Sequence, residues 1–172
     1  MTEVSSFPAI ASPDARLLIL GSMPGVASLQ ASQYYAHPRN QFWRLLGELL
    51  GFDPECDYAI RTQALIRAHI ALWDVLKSCR RSGSLDADII ARSVVVNDFA
   101  RFFQAHPSIT DVYFNGATAE QLFRCHVVKP AFSGSLNLHR LPSTSPANAG
   151  MRYEQKREHW RLLTEALRMP PQ

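Results

Sequence analysis

The chain has 172 residues, 47% hydrophobic and 10% aromatic, with a formal net charge of +3; this suits one globular core and excludes a largely disordered chain. No stretch reaches the roughly 18 apolar residues of a membrane helix, and the opening MTEVSSFPAI lacks the regions of a secretory signal, which predicts a cytoplasmic protein without a membrane partner. Cys56, Cys79 and Cys125 are isolated thiols without CxxC spacing, so no zinc, iron–sulfur cluster, other cofactor or disulfide framework is expected.

RLLILGSMPG reads as a buried parallel strand from Leu17 to Leu20 that ends in a Gly/Pro turn. In RNQFWRLLGELLG, Phe42, Leu45, Leu46, Leu49 and Leu50 fall at helical spacing and Gly51 is a stop. A helical stretch around AIRTQALIRAH precedes IALWDV, the second strand. VVVNDFARFFQAHP predicts a helix from Asp98 to Ala105, capped by Asn97 and ended before Pro107. TDVYFNG is the third strand, ATAEQLFRCH a helix, and LNLHRLPSTSP a fourth strand from Leu136 to Leu141 entering a Pro/Ser/Thr loop. YEQKREHWRLLTEALR closes the chain as an amphipathic helix.

Alternating strands and helices predict an α/β chain: a three-layer α/β/α domain with a central, mainly parallel sheet of about four strands, since crossover helices must cover both faces. No repeat or linker divides residues 1–172, which are expected to form a single domain with a core from about 16 to 167. Ligands of such sheets sit at the carboxyl ends of the strands. Those ends are GSMPG, WDV, FNG and LPSTSPAN, so polar and glycine-rich segments converge on one edge.

A phosphate cradle is a poor fit, because GSMPGVAS contains neither GxGxxG nor GxxxxGK[ST]. The G-x-S-x-G elbow of a serine hydrolase is also absent. What remains is a set of rings and amides: Tyr34, Tyr35, His37 and Phe42 can sandwich a flat aromatic ligand, and Asn40 can both donate and accept. Phe42 and Trp43 also fit the buried face of their helix. This toolkit suits a nucleobase.

GSMPG followed by YYAHPRNQFW, with LPSTSPANA at 141–149, resembles the paired motifs of the uracil-DNA glycosylase superfamily, closest to its DNA-deoxyinosine (hypoxanthine-DNA) glycosylase family. The resemblance implies a monofunctional DNA glycosylase of base excision repair. Such enzymes extrude a deaminated base, hold it in a fitted pocket and hydrolyse its N-glycosidic bond. It places Tyr35 where a ring stacks on the flipped base and Asn40 where the catalytic amide stands. Gly21, Ser22 and His37 line the pocket or set its loop. Met23 occupies the site of the catalytic asparagine of mismatch-specific relatives, a loss shared with the deoxyinosine family. Asp74 stands where uracil-specific relatives carry an asparagine, and its carboxylate would accept the N1–H of hypoxanthine.

The second motif resembles the loop that pinches DNA, with Arg140, Leu141, Pro142, Ser143, Thr144 and Ser145 as expected DNA contacts. Leu141 replaces the histidine that opens this motif in uracil enzymes; His139, two residues back, shares its face by strand alternation. Between Ala119 and Arg161 the chain carries Arg124, Lys129, Arg140, Arg152, Lys156, Arg157 and Arg161 against Glu120, Glu154 and Glu158, which makes this third the expected polyanion surface. The partner is expected to be DNA containing a deaminated base, bound by a monomer. A uracil or mismatch glycosylase, a non-catalytic nucleic-acid binder and a nucleoside hydrolase stay open as alternatives.

Overall fold

The structure is a computed structural model that describes residues 2–128 and 136–168. Strand β1 (Thr2–Ser5) is followed by β2 (Leu17–Gly21), the short helix α1 (Val26–Ala31), α2 (Phe42–Leu50) and α3 (Tyr58–Arg67). Next come β3 (Ile70–Asp74), β4 (Leu76–Arg81), 3-10 turns at Asp86–Asp88 and Ala91–Ser93, β5 (Val95–Val96) and α4 (Phe99–Ala105). The chain ends with β6 (Asp111–Asn115), α5 (Ala117–Phe123), a π-helical turn over Arg124–Val128, β7 (Asn137–Leu141), α6 (Tyr153–Trp160) and α7 (Leu162–Arg168).

The four strands read from the sequence form one parallel sheet in the order β3-β2-β6-β7. All five residues of β2 are buried, because a strand covered on both faces has no solvent side on which to place polar residues. Leu17 and Ile19, with Ile70, Leu72 and Tyr113, pack beneath Phe42, Leu45 and Leu46 of α2, Leu65 of α3, and Trp160 and Leu163 from α6 and α7. Leu18 and Leu20, with Ala71, Val112 and Phe114, face Phe99 and Phe102 of α4 and Ala119 and Phe123 of α5. The result is the expected three-layer sandwich.

A second sheet goes beyond the sequence reading. The strand β4 pairs antiparallel with both β1 and β5. It starts one residue after β3, across a bend at Val75 whose N–H donates to the Gly21 carbonyl. Asn97, expected to cap α4, instead donates its Nδ2 to the carbonyls of Asp74 and Leu76, at 2.8 and 3.2 Å. Asp98 is the cap, accepting from the N–H of Arg101 at 3.0 Å. The reason is competition: a buried amide with two nearby strand carbonyls gains more there than at a helix end open to water. The closing helix is broken at Arg161 into α6 and α7, and the segment between β2 and α2 holds the single-turn-scale helix α1.

The β2 strand lies between β3 and β6, so the connections leave it in opposite directions. That reversal opens a crevice at the carboxyl ends of β2 and β6. Every loop singled out at the strand ends reaches it.

Candidate active site

A cavity of about 830 Å³ occupies this crevice. Its wall comes from Gly21–Ser28 after β2, from Tyr34, Tyr35, His37, Arg39 and Asn40, from Asp74 at the end of β3, and from Ser84–Ala87, Asn115–Thr118 after β6 and Ser143–Asn148 after β7. Gly21, Ser22, Met23, Tyr35, His37, Asn40, Asp74, Ser143, Thr144 and Ser145, all singled out in the sequence, line this one cavity.

Tyr35 adopts a left-handed backbone (φ 54°), which turns its ring out of the loop and onto Phe42, 3.9 Å between centroids and 21° between planes. Phe42 is fully buried and meets Trp160 edge-on at 5.9 Å, so it backs Tyr35 rather than facing a ligand. Tyr34, whose ring also suggested stacking, is a core residue. Its hydroxyl donates to the carbonyl of Pro8 at 3.0 Å, and its own carbonyl accepts from the Trp43 indole at 2.8 Å.

Asn40 is held by its own loop. Its backbone N–H donates to the His37 carbonyl, and its Oδ1 accepts from the Phe42 N–H at 3.0 Å. The side-chain amide thereby gains a fixed orientation, with its NH₂ and the second lone pair of Oδ1 left for a ligand. His37 Nδ1 accepts from the Arg39 N–H at 3.1 Å, a bond that places the ring proton on Nε2.

Gly21 permits the closest approach in the site. A Cβ there would stand 2.5 Å from Asp74 Oδ1 and 2.8 Å from the Tyr35 hydroxyl. The Tyr35 hydroxyl and Asp74 Oδ2 are buried with no hydrogen-bond partner among the described residues. Burial, reinforced by Asp74, drives the Tyr35 phenol well above its usual value, so it is a neutral donor at every physiological pH. Met23 is almost fully buried against the core beneath the cavity, where an amide side chain would need partners that apolar neighbours do not supply.

Three residues absent from the sequence reading complete the site. Asp86, on a 3-10 turn, accepts from the Ser22 hydroxyl at 2.5 Å. Arg81 is buried behind it and donates to the Pro24 carbonyl, holding the turn of GSMPG. Asn115, at the end of β6, forms a two-bond clasp with Thr144: its Nδ2 donates to Oγ1 and its Oδ1 accepts from the backbone N–H, both at 2.9 Å. The NG pair closing an apolar strand was the available signal for Asn115. Nothing in the sequence brings residue 81 or 86 toward residue 22.

The second-motif loop is ordered by its own polar groups. Ser143 Oγ accepts from the Ser145 N–H, Ser145 Oγ from the Ala147 N–H, and the Trp160 indole donates to the Pro142 carbonyl at 2.9 Å. Lys156 Nζ donates to Gln41 Oε1 and to the Asn148 carbonyl, tying the loop to the segment that carries Asn40. Two expected DNA contacts are placed otherwise. Thr144 is 0% exposed and spent on Asn115, and Leu141 is 1% exposed in the core beside Trp160. Pro142, Ser143 and Ser145 remain at the surface of the loop. The Arg140 side chain is 61% exposed but paired with Glu120, which also binds Arg124.

His139 does share the face of Leu141, but that face lies over the α2 and α6 layer. Its ring stacks on Tyr113 at 4.5 Å, and Nε2 meets Asp111 Oδ1 at 2.9 Å, which aims it at the amino end of the sheet and away from the cavity. The basic surface is thinner than the residue count suggests. Lys156 is buried, and Arg157 and Arg161 meet Glu48 and Glu158. Lys129 lies outside the described residues.

Asn115→Ala removes both halves of the Thr144 clasp. It is expected to destabilise the fold by about 1–2 kcal/mol, the cost of stranding a buried hydroxyl and N–H, and to weaken DNA binding more than it slows the bound complex. Thermal melting and single-turnover rates over a range of enzyme concentrations check both. Among the described residues no group of three or more His, Cys, Asp or Glu side chains is placed to hold a metal.

The sequence model of the uracil DNA glycosylase superfamily matches residues 8–168, from the segment before β2 to the end of α7. The chain belongs to that superfamily. It is similar to a "Hypoxanthine DNA glycosylase" of Methanosarcina acetivorans, 34% identical over 154 residues that cover 88% of this chain and 91% of the relative. A protein of the same description from Methanosarcina barkeri is 41% identical over 111 residues, 64% of this chain and 69% of the relative. The solution NMR structure of a Methanosarcina acetivorans protein, provisionally described as a uracil DNA glycosylase, superimposes with a TM-score of 0.74. It is 31% identical and the match covers 95% of this chain and 99% of that one. As in other members of the superfamily, DNA is the substrate class, and no helix among the described residues is long and apolar enough to cross a membrane.

Proposed function

We propose that this chain is a monofunctional DNA glycosylase of base excision repair that removes hypoxanthine from deoxyinosine, acting as a monomeric, single-domain cytoplasmic enzyme. The observation that carries the reading is the convergence of the Tyr35 ring, the Asn40 amide and the Asp74 carboxyl on one cavity, in a chain related along most of its length to two hypoxanthine DNA glycosylases.

The extruded base stacks on the open face of Tyr35, whose other face Phe42 supports. Asn40 holds a water against C1′ of the sugar through its free lone pair and donates from its NH₂ to the departing base as negative charge builds there. The water oxygen bonds to C1′ as the bond from C1′ to N9 breaks, and the base leaves with the electron pair. The amide itself takes no proton; the water's proton passes to solvent, and the departing base is protonated in turn. Among the cavity-lining residues there is no lysine, which supports hydrolysis over a Schiff-base lyase step. Pro142, Ser143 and Ser145 bear on the DNA backbone, with Arg140 at the loop's edge.

Single-turnover assays on oligonucleotides containing deoxyinosine, uracil, xanthine or a mismatched thymine test the reading. Deoxyinosine is expected to be cleaved fastest, leaving an alkali-sensitive abasic site. Uracil cleavage with an inert deoxyinosine substrate would replace this specificity with the uracil one. Salt-dependent binding without an abasic product would leave only a binding protein.

A further inference from the structure

Asp74 is placed unlike a carboxylate that keeps its charge. It ends β3 at 3% exposure, lines the cavity, and its Oδ2 has no partner among the described residues. The titratable groups around it come from three elements: Asp86 on its 3-10 turn, Arg81 on β4, and the Tyr35 and Tyr34 hydroxyls of the loop after α1, with His37 farther along that loop. Arg81 does not pair with it, since Nη2 is committed to Pro24 and neither Nε nor Nη1 reaches an acceptor.

Asp86 is the better-supported anion of the two carboxyls. Burial raises its carboxyl, but Ser22 donates to it, and the charge of Arg81 and a hydrogen bond from Thr118 offset part of that burial. Among the described residues Asp74 has no such donor, and it lies in the field of that anion. When two carboxyls interact and hydrogen bonds reach only one of them, a single negative charge on the bonded one and a proton on the other are favoured, the more so here because Asp74 is buried and Asp86 half-buried.

We propose that Asp74 meets the extruded base as a neutral carboxylic acid, giving its O–H to the exocyclic carbonyl of a purine lactam and taking the ring N–H on its other oxygen. The inference rests on the deoxyinosine reading and deepens it, because hypoxanthine presents N1–H and C6=O side by side. An ionised carboxylate would accept the N1–H but set its second oxygen against the lone pairs of O6. The neutral acid matches both groups. Burial first and the charge of Asp86 second push the Asp74 carboxyl up to about 7, against the pull of Arg81. Adenine offers the reversed pattern, which a neutral acid meets by exchanging its two oxygens, so its rejection falls to the cost of extruding a well-paired base.

The test is the pH profile of single-turnover deoxyinosine cleavage by the full chain, with D74N and D74L. Asparagine presents the same donor and acceptor as the neutral acid and does not titrate. The wild-type rate is expected to fall about tenfold between roughly pH 6 and 8 as the acid ionises, while the D74N profile stays flat. D74L, with neither group, is expected to lose roughly 100-fold at every pH. Thermal melting supplies a second readout. A folded-state value raised above that of an unfolded aspartate stabilises fully below about pH 4, and this is lost as pH rises through about 7. The Tm is therefore expected to fall across that window in the wild type, and by less in D74N.

A folded D74N as inactive as D74L would overturn the proposal. So would a D74N profile that keeps the wild-type fall, which would assign the titration to another group. A wild-type chain that leaves deoxyinosine uncut but cleaves uracil would overturn the functional reading, and this one with it.

Discussion

Asn40→Ala is expected to lower single-turnover cleavage of deoxyinosine by about 10²–10³-fold, the range for removing one positioned hydrogen-bonding group from a developing charge. The structural cost is separate and smaller. Asn40 is partly exposed, and the bond of its side chain among the described residues is the turn from Phe42 N–H to Oδ1, worth about 1 kcal/mol in comparable cap and turn positions. Thermal melting should show that modest loss while cleavage collapses. Asn40→Asp separates the two roles, since a carboxylate keeps the acceptor for Phe42 but offers no NH₂ to the pocket. It is expected to hold the fold and still lose most of the rate. An Asn40→Ala variant that cleaves at the wild-type rate would remove this amide from the mechanism.

Gly21→Ala is expected to be comparably damaging for a steric reason. The added methyl would lie 2.5 Å from Asp74 Oδ1 and 2.8 Å from the Tyr35 hydroxyl, contacts that side chains do not tolerate. Neither neighbour yields easily: Asp74 ends a strand paired along its length with β2, and Tyr35 is stacked on a fully buried Phe42. Forced displacement in a packed site costs about 1–3 kcal/mol. Moving the Tyr35 ring and the Asp74 carboxyl, the groups proposed to hold the base, by an ångström is expected to cost catalysis on the order of 10²-fold. The expected result is a variant that still folds, melts several degrees lower and cleaves deoxyinosine hundreds of times more slowly. A wild-type rate with a lowered Tm would show that the pocket adjusts, and would separate base capture from this contact.

The mechanical design behind both predictions is a chain of ring and amide contacts. Tyr35 leans on Phe42, Phe42 on Trp160, and Trp160 holds the Pro142 carbonyl. Lys156 bridges Gln41 and Asn148 from below. The ring proposed to stack on the base, the amide proposed to be catalytic and the loop proposed to face DNA thus share one support, although the loop lies more than a hundred residues from the other two in sequence.

Much of this was legible in the sequence alone. Apolar runs such as LLIL and IALW can be stable only between two covering layers, so they predicted the parallel sheet, and the polar segments that follow each run marked its carboxyl edge. The cluster of Tyr35, His37 and Asn40 outside any helical period marked the pocket wall. Met23 in place of an amide pointed to Asn40, and its burial in the core agrees with an apolar residue there.

Tertiary structure decided the rest, because burial and charge depend on what lies across space. Alternation correctly put His139 on the face of Leu141, but only the packing of α2 and α6 shows that this face is core and points away from the cavity. Thr144, a hydroxyl suited to phosphate, is taken by Asn115; Lys156, one of few lysines, is buried beneath the loop; and Asn97 serves two strand carbonyls rather than a helix end. Most clearly, Arg81 and Asp86 reach Pro24 and Ser22 only because β4 and the 3-10 turn fold back under GSMPG. The sequence determined which residues stand at the strand ends; the long-range contacts determined which carboxyl, Asp86, receives a hydroxyl and which, Asp74, is buried with an oxygen that has no partner among the described residues.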